Sequence, residues 1–147
     1  FYIGKTTPSF DRETDYDDIY PIDHINQNLI IEALNDFQGE IKQKPPIYSA
    51  LKIKGKRLYE IARKGGLAEI KNRSIKIFEF KLINNNLPEL DFKIKCSKGT
   101  YIRSLAHDYG KKLNSGAHLK YLERYSIGEY NINESYSLGE INKLLFD

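Results

Sequence analysis

The stretch Cys96-Ser97-Lys98-Gly99-Thr100-Tyr101-Ile102-Arg103-Ser104-Leu105 decides how this chain is read. Upstream of it, Leu90, Phe92, Ile94 and Cys96 alternate with Asp91, Lys93 and Lys95. That period of two predicts a half-buried strand. Downstream, Ile102, Leu105, Ala106, Tyr109 and Leu113 recur at threes and fours, which predicts an amphipathic helix from about 101 to 113. The junction is a glycine turn, with Ser97 or Thr100 available to cap the helix. Tyr101 and Arg103 then stand in the first helical turn. A helix N-terminus carries positive partial charge and favours anions. An arginine there therefore has two readings: a surface side chain in solvent, or a cation pinned by a carboxylate or a phosphate.

The rest of the composition narrows the class. The chain has 147 residues, 40% of them apolar, enough for one domain or part of one with a real core. No apolar run is long enough for a membrane span, and no signal-peptide pattern is present. The single Cys96 excludes an internal disulfide, and its place on the apolar strand face predicts a buried core thiol. His24, His107 and His118 are scattered and have no cysteine cluster beside them, which argues against zinc. Phe1-Tyr2-Ile3 already reads as strand, so the chain is treated as a fragment.

Charge is distributed unevenly. Residues 1–39 carry two basic and eight acidic residues, a net of −6. Residues 40–76 carry eleven basic and three acidic residues, a net of +8, and the remainder contributes +1. Tyr48 and Tyr59 lie within the basic block. Cations interleaved with aromatic rings suit a polyphosphate backbone with unstacked bases. A solvated, lysine-rich surface is the competing reading.

Along the chain, Phe1–Gly4 reads as strand and Lys5–Asp18 as a polar loop. Asn26 can cap a helix over about 27–37, with Leu29, Ile30, Ala33, Leu34 and Phe37 inward and Gly39 placed to stop it. A short strand over Ile41–Lys44 ends at Pro45-Pro46. An irregular segment follows, with a hairpin at Lys54-Gly55, and then one or two helical turns over Leu58–Lys64, closed by Gly65-Gly66. Ser74–Ile83 is a strand, Asn84-Asn85-Asn86 a turn, and Tyr121–Tyr130 a further strand with Gly128 as a bulge. Ser137-Leu138-Gly139-Glu140 fits a capping box opening a last short helix. Strands and helices mix without βαβ alternation, which predicts an α+β fold with a mixed or antiparallel sheet.

Three segments together resemble the bacterial tRNA pseudouridine synthase B family. The first is Pro45-Pro46-Ile47-Tyr48-Ser49-Ala50-Leu51-Lys52, continuing through Gly55-Lys56-Arg57-Leu58-Tyr59-Glu60-Ile61-Ala62-Arg63. The second is the 96–105 stretch, followed by Asp108 and Gly110. The third is Gly116-Ala117-His118-Leu119 with Leu122, Arg124 and Gly128. Gly4, Thr7, Ser9 and Asp11 are similar to the family's Gly-x-x-Thr-x-Thr-x-Asp loop. The matches run from Gly4 to about Tyr130, and their order and spacing carry more weight than any single box.

The resemblance implies the pseudouridine synthase fold, α+β with a mixed, largely antiparallel sheet, flanking helices and an RNA cleft. It implies isomerisation of uridine 55 in the tRNA T-loop to pseudouridine, without metal or cofactor. It implies a cytoplasmic enzyme, with the tRNA T-stem-loop as partner and no membrane contact. Nothing in the sequence is patterned for oligomerisation, so a monomer is expected. The family nucleophile is an aspartate in a Gly-x-Leu-Asp-Pro box, and a base-stacking tyrosine lies in a Lys-x-Tyr segment. Neither pattern occurs in this chain. The chain is accordingly expected to be the C-terminal portion of a catalytic domain, inactive alone. Only 17 residues follow Tyr130, too few for the extra C-terminal RNA-binding domain of many relatives. By the same resemblance Arg103 pairs with the nucleophile, Tyr101 lies near the base as a candidate for the proton step, and Leu122 forms an apolar wall. Residues about 45–75 correspond to an RNA-closing thumb loop. Lys52, Lys56, Arg57 and Arg63, with Tyr59 beside them, and Lys98 in the turn, are the candidate RNA contacts.

Other readings are weaker. Gly4-Lys5-Thr6 suggests a phosphate loop, but Pro8 and a run of acids follow where a helix should begin. His107-Asp108 suggests a metal phosphohydrolase pair, but the helix pattern places both on an exposed face and no suitably spaced histidine joins them. The alternative functions are a non-catalytic tRNA-binding or folding module and a protein-binding domain with a basic face.

Overall fold

The computed structural model describes residues 1–49, 52–53, 56–63 and 70–146. Its centre is a long antiparallel hairpin of β5 (Arg73–Asn86) and β6 (Glu89–Cys96), reached after β1 (Tyr2–Ile3), α1 (Gln27–Asn35), β2 (Gly39–Gln43), the paired β3 (Lys52–Ile53) and β4 (Lys56–Arg57), and α2 (Leu58–Arg63). After it come α3 (Ile102–Lys112), β7 (Ala117–His118), the paired β8 (Ser126–Ile127) and β9 (Tyr130–Asn131), and α4 (Leu138–Phe146). The main sheet runs β2-β5-β6-β1-β7. A mixed, largely antiparallel sheet was expected; every pairing among the described residues is antiparallel. The α+β class follows directly.

The strand alternation in β6 puts Leu90, Phe92, Ile94 and Cys96 toward the core, as the period of two requires. Cys96 is half-buried rather than a fully buried thiol. In β5 the inward set is Ile75, Ile77 and Phe80, an interval that breaks strict alternation. The register shift between Ile77 and Glu79 supplies the reason: one extra residue bulges the strand and leaves Phe78 facing solvent. Asn84-Asn85-Asn86 does not form the turn. Those residues pair with Asp91, Leu90 and Glu89, and the chain reverses at Leu87-Pro88. A ladder uses backbone groups, which asparagine supplies as well as any residue. Proline has no N–H to donate and ends the pairing.

Helix α1 is capped as expected, with Asn26 Oδ1 accepting from Leu29 N at 3.0 Å. It buries Ile30, Ala33 and Leu34, with Leu29 and Phe37 packed at the margin. It ends at Asp36, so Gly39 opens β2 instead of stopping the helix. Tyr109 of α3 stands at the centre of the core. Its ring meets Phe1, Phe37, Phe80 and Phe92, and its hydroxyl donates to Ile30 O at 2.8 Å. Gly110 lets α3 approach β7: a Cβ there would lie 2.3 Å from Ala117 N.

Three expectations fall partly on residues outside the description: the Lys54-Gly55 hairpin tip, Lys64, and the Gly65-Gly66 stop. The flanking pair β3–β4 and the helix α2 are present. Tyr121–Tyr130 is not one strand; the chain turns at Gly128-Glu129 between β8 and β9. The capping box is present, with Ser137 N donating to Glu140 Oε2 at 2.7 Å and Glu140 N to Ser137 Oγ at 3.3 Å.

Candidate active site

The start of α3 is fixed by a residue far away in sequence. Neither Ser97 nor Thr100 caps it. Ser97 prolongs the β5–β6 pairing, accepting from Lys76 N at its Oγ and donating its N–H to Lys76 O, while Thr100 Oγ1 donates back to Ser97 O. Gly99, at φ +86, makes the turn that leads into the helix. The N-cap position is Tyr101. Its N–H donates to Gln43 Oε1 at 2.8 Å, and Gln43 Nε2 donates to Tyr101 O at 3.0 Å. Gln43 is 2% exposed, so a buried amide from β2 holds the backbone of the N-cap residue, where no side chain caps the helix. One helical turn on, Ser104 Oγ donates to Lys44 O at 2.7 Å, tying α3 to the segment that enters Pro45-Pro46.

Arg103 extends from this anchored turn toward two loops. Its Nη1 donates to Asp11 Oδ2 at 2.9 Å and its Nη2 to Tyr48 O at 2.8 Å. The pinned reading of Arg103 is therefore right, and Asp11 is the carboxylate. Both side chains are largely buried, Arg103 24% and Asp11 17% exposed. Asp11 is held on every side. Its Oδ1 accepts from Ser9 Oγ at 2.6 Å and from Glu13 N at 3.0 Å, and its carbonyl accepts from Thr7 Oγ1 at 2.6 Å. Burial alone would raise the Asp11 pKa. The bonds from Ser9 and Glu13 and the charge and bond of Arg103 outweigh it and hold the carboxyl below its usual range. Asp11 is thus a buttress for the arginine, its carboxylate already taking three donors.

The loop bearing Asp11 is fastened elsewhere too. Leu119 N donates to Phe10 O at 2.8 Å, so the segment leading to Leu122 is tied to it. Phe10 stacks on His107 of α3 with ring centroids 3.9 Å apart and planes 14° apart. His107 is therefore half-buried rather than exposed, because Phe10 of the loop covers it; Asp108 is half-buried as well. Burial, with Lys111 adding to it against Asp17, lowers the His107 pKa to about 4. His118 is buried, its Nδ1 against Lys5 O at 2.8 Å, and packs on Tyr2 as part of the sheet edge.

The expected site residues fall into two groups. Tyr101 and Arg103 both lie at the start of α3, with Tyr101 half-buried. Leu122, expected as an apolar wall, is 54% exposed, three residues past buried Leu119. Lys98 is exposed in the glycine turn. Lys52 pairs with Arg57 and Ile53 with Lys56 across β3–β4, and Arg63 ends α2. The side chains of Lys52, Lys56, Arg57 and Arg63 lie outside the description. Tyr59 is half-buried, and its N–H donates to Ser49 O at 3.1 Å. Gln43, Asp11, Phe10 and His107 were not singled out for these roles. A lone inward glutamine closing the Ile41-to-Gln43 alternation was the available signal for the first. Among the described residues no group of histidine, cysteine or carboxylate side chains could hold a metal ion.

Comparison with known proteins agrees with this architecture. A chain in the crystal structure of a Cbf5-Nop10-Gar1 complex superposes with a TM-score of 0.50 at 30% identity, over 65% of this chain and 24% of that one. The class of the fold is thus that of the pseudouridine synthases. Residues 1–102 match the model of the TruB family pseudouridylate synthase (N terminal domain), and the chain belongs to that family. It is 54% identical over 138 residues to tRNA pseudouridine synthase B of Flavobacterium johnsoniae, covering 94% of this chain and 60% of that protein. It is 49% identical over 143 residues to the same-named protein of Parabacteroides distasonis, covering 97% and 61% respectively. The chain thus spans about three-fifths of the length of these relatives.

Proposed function

We propose that the protein isomerises uridine 55 in the T-loop of tRNA to pseudouridine, and that this chain is the C-terminal portion of its catalytic domain. The supporting observation is Arg103, held at an anchored helix start between Asp11 and the Tyr48 carbonyl. A uracil in a folded loop must leave its stack before its glycosidic bond can be attacked. A nucleophilic carboxylate, supplied by the family's Gly-x-Leu-Asp-Pro box, must then be ionised in a site closed to water, which is costly without a paired cation. A guanidinium has five N–H donors. Two are used here, so three remain to receive that carboxylate. In the reaction the bond from the sugar to N1 breaks, the base turns over, a bond to carbon 5 forms, and the carbon 5 proton leaves. Tyr101, two residues before Arg103, is the group proposed for that proton step, and Leu122 the apolar wall of the base pocket.

The partner in this reading is the tRNA T-stem-loop, met by a monomer in the cytoplasm. Residues about 45–75 act as the thumb, with Lys52, Lys56, Arg57, Tyr59 and Arg63, and Lys98 nearby, contacting RNA. No helix among the described residues is long and apolar enough to cross a membrane.

The test is tritium release from tRNA labelled at uridine carbon 5, with this chain and with the full-length product of its natural gene. Release from the full-length protein alone is expected. Binding of tRNA without release from either would instead mark a non-catalytic tRNA-binding or folding module.

A further inference from the structure

Phe10 has φ +63, a left-handed conformation that a bulky L-residue adopts only when its surroundings hold it there. That turn immediately precedes Asp11 and determines where its carboxylate goes. Three contacts hold it. Phe10 N donates to Thr7 O at 3.1 Å, Leu119 N donates to Phe10 O at 2.8 Å, and the Phe10 ring lies flat on His107. His107 is four residues beyond Arg103 on α3, so both side chains leave the same face of the helix. One face therefore grips two successive loop residues: the guanidinium takes the Asp11 carboxylate and the imidazole takes the Phe10 ring.

The imidazole acts here through its face. Its buried Nδ1 has no hydrogen-bond partner among the described residues, and the stack on Phe10 is the contact that accounts for its place. The charged groups around it are Lys111 on its own helix and Asp17 from the covering loop. Burial and Lys111 dominate, and the ring is neutral at physiological pH.

We propose that His107 is a positioning residue, whose stacked ring fixes the left-handed turn at Phe10 and so delivers the Asp11 carboxylate to Arg103. The inference rests on the isomerase reading above for its catalytic consequence, but not for its structural one. If Arg103 must be aimed at a nucleophilic carboxylate, its buttress must be fixed first. A reacting group displaced by about 1 Å loses on the order of a hundredfold in rate.

The experiment uses the full-length protein with His107→Ala, His107→Leu and His107→Phe. Two quantities are measured: tritium-release kinetics on tRNA, and the Asp11 carboxyl pKa by carbon NMR titration. H107A and H107L are expected to lower kcat about tenfold with KM for tRNA within about twofold of wild type, and to raise the Asp11 pKa. H107F, which restores a flat ring, is expected to recover both. The proposal is overturned if H107L matches H107F in kcat and in the Asp11 pKa, or if H107F is as impaired as H107L. Should H107A fail to fold, the Leu and Phe pair still decides. A wild-type protein that releases no tritium overturns the isomerase reading alone, since the Asp11 titration still decides the role of His107.

Discussion

Gln43 and Tyr101 exchange two hydrogen bonds, 2.8 and 3.0 Å, across 58 residues of sequence. A strand end and a helix start are thereby locked in register, and Arg103 inherits its position from that lock. Gln43→Leu keeps the size and removes both bonds, leaving the Tyr101 N–H without its partner beside a buried side chain. The expected loss is about 2–3 kcal/mol of stability, or about 5–10 °C in a thermal melt. A melting point within a degree or so of wild type would show that water replaces the glutamine at no cost.

Asp11→Asn removes the charge facing Arg103 and keeps the shape. Arg103 then lacks its anion in a largely buried site, and activity of the full-length protein is expected to fall about tenfold or more. Arg103→Lys should fare no better, because a lysine cannot reach Asp11 and the Tyr48 carbonyl with a fixed fork. The pH dependence carries a definite sign. The folded Asp11 pKa is depressed, so its contribution is present above the ordinary carboxylate value of about 3.9 and is lost as pH falls through the folded value. In D11N that acid-limb loss should shrink, which a denaturant titration at pH 5 and pH 3 would read.

His107 titrates with the same sign as Asp11, in a higher pH window. Its folded pKa, about 4, lies below the ordinary imidazole value. The unfolded chain therefore binds the proton more readily between about pH 6.5 and 4. Stability should be full above that window, fall across it and level off beneath it. Part of the ring is open to water, so screening reduces the effect to about 1–2 kcal/mol. The fall between pH 7 and pH 4.5 should be smaller in H107F than in wild type. Equal falls would mean that other groups carry the acid sensitivity.

Periodicity made β6, α1 and α3 legible, because each buries one face against the same core and the pattern records that face. Helix electrostatics also raised a pinning anion as one of two readings of Arg103, the other being a side chain in solvent. The sequence could not say which of the eight early acids would serve, since loop 5–18 has no period that reports its path. The same blindness hid His107: a helical wheel shows an outward residue, and only the loop folded over it makes that position an interior one. The Asn84-Asn85-Asn86 error has another origin. Asparagine is enriched in turns because its side chain competes for the backbone, yet here the backbone is already committed to β6 and the side chains only line the strand surface.

The β3–β4 pair places Lys52 opposite Arg57, with Lys56 opposite Ile53. Under the proposed function Lys52, Lys56 and Arg57 contact tRNA phosphates. Each phosphate neutralised contributes about 0.7–0.9 to the slope of log affinity against log salt. Replacing Lys52, Lys56 and Arg57 together by glutamine should weaken tRNA binding by the full-length protein and reduce that slope by about 2. Arg103 and Tyr101 are untouched by these changes. Single-turnover release at saturating tRNA should therefore stay within about threefold of wild type while the binding constant falls. An unchanged salt slope in a filter-binding titration would remove the thumb from the RNA contacts, whatever became of catalysis.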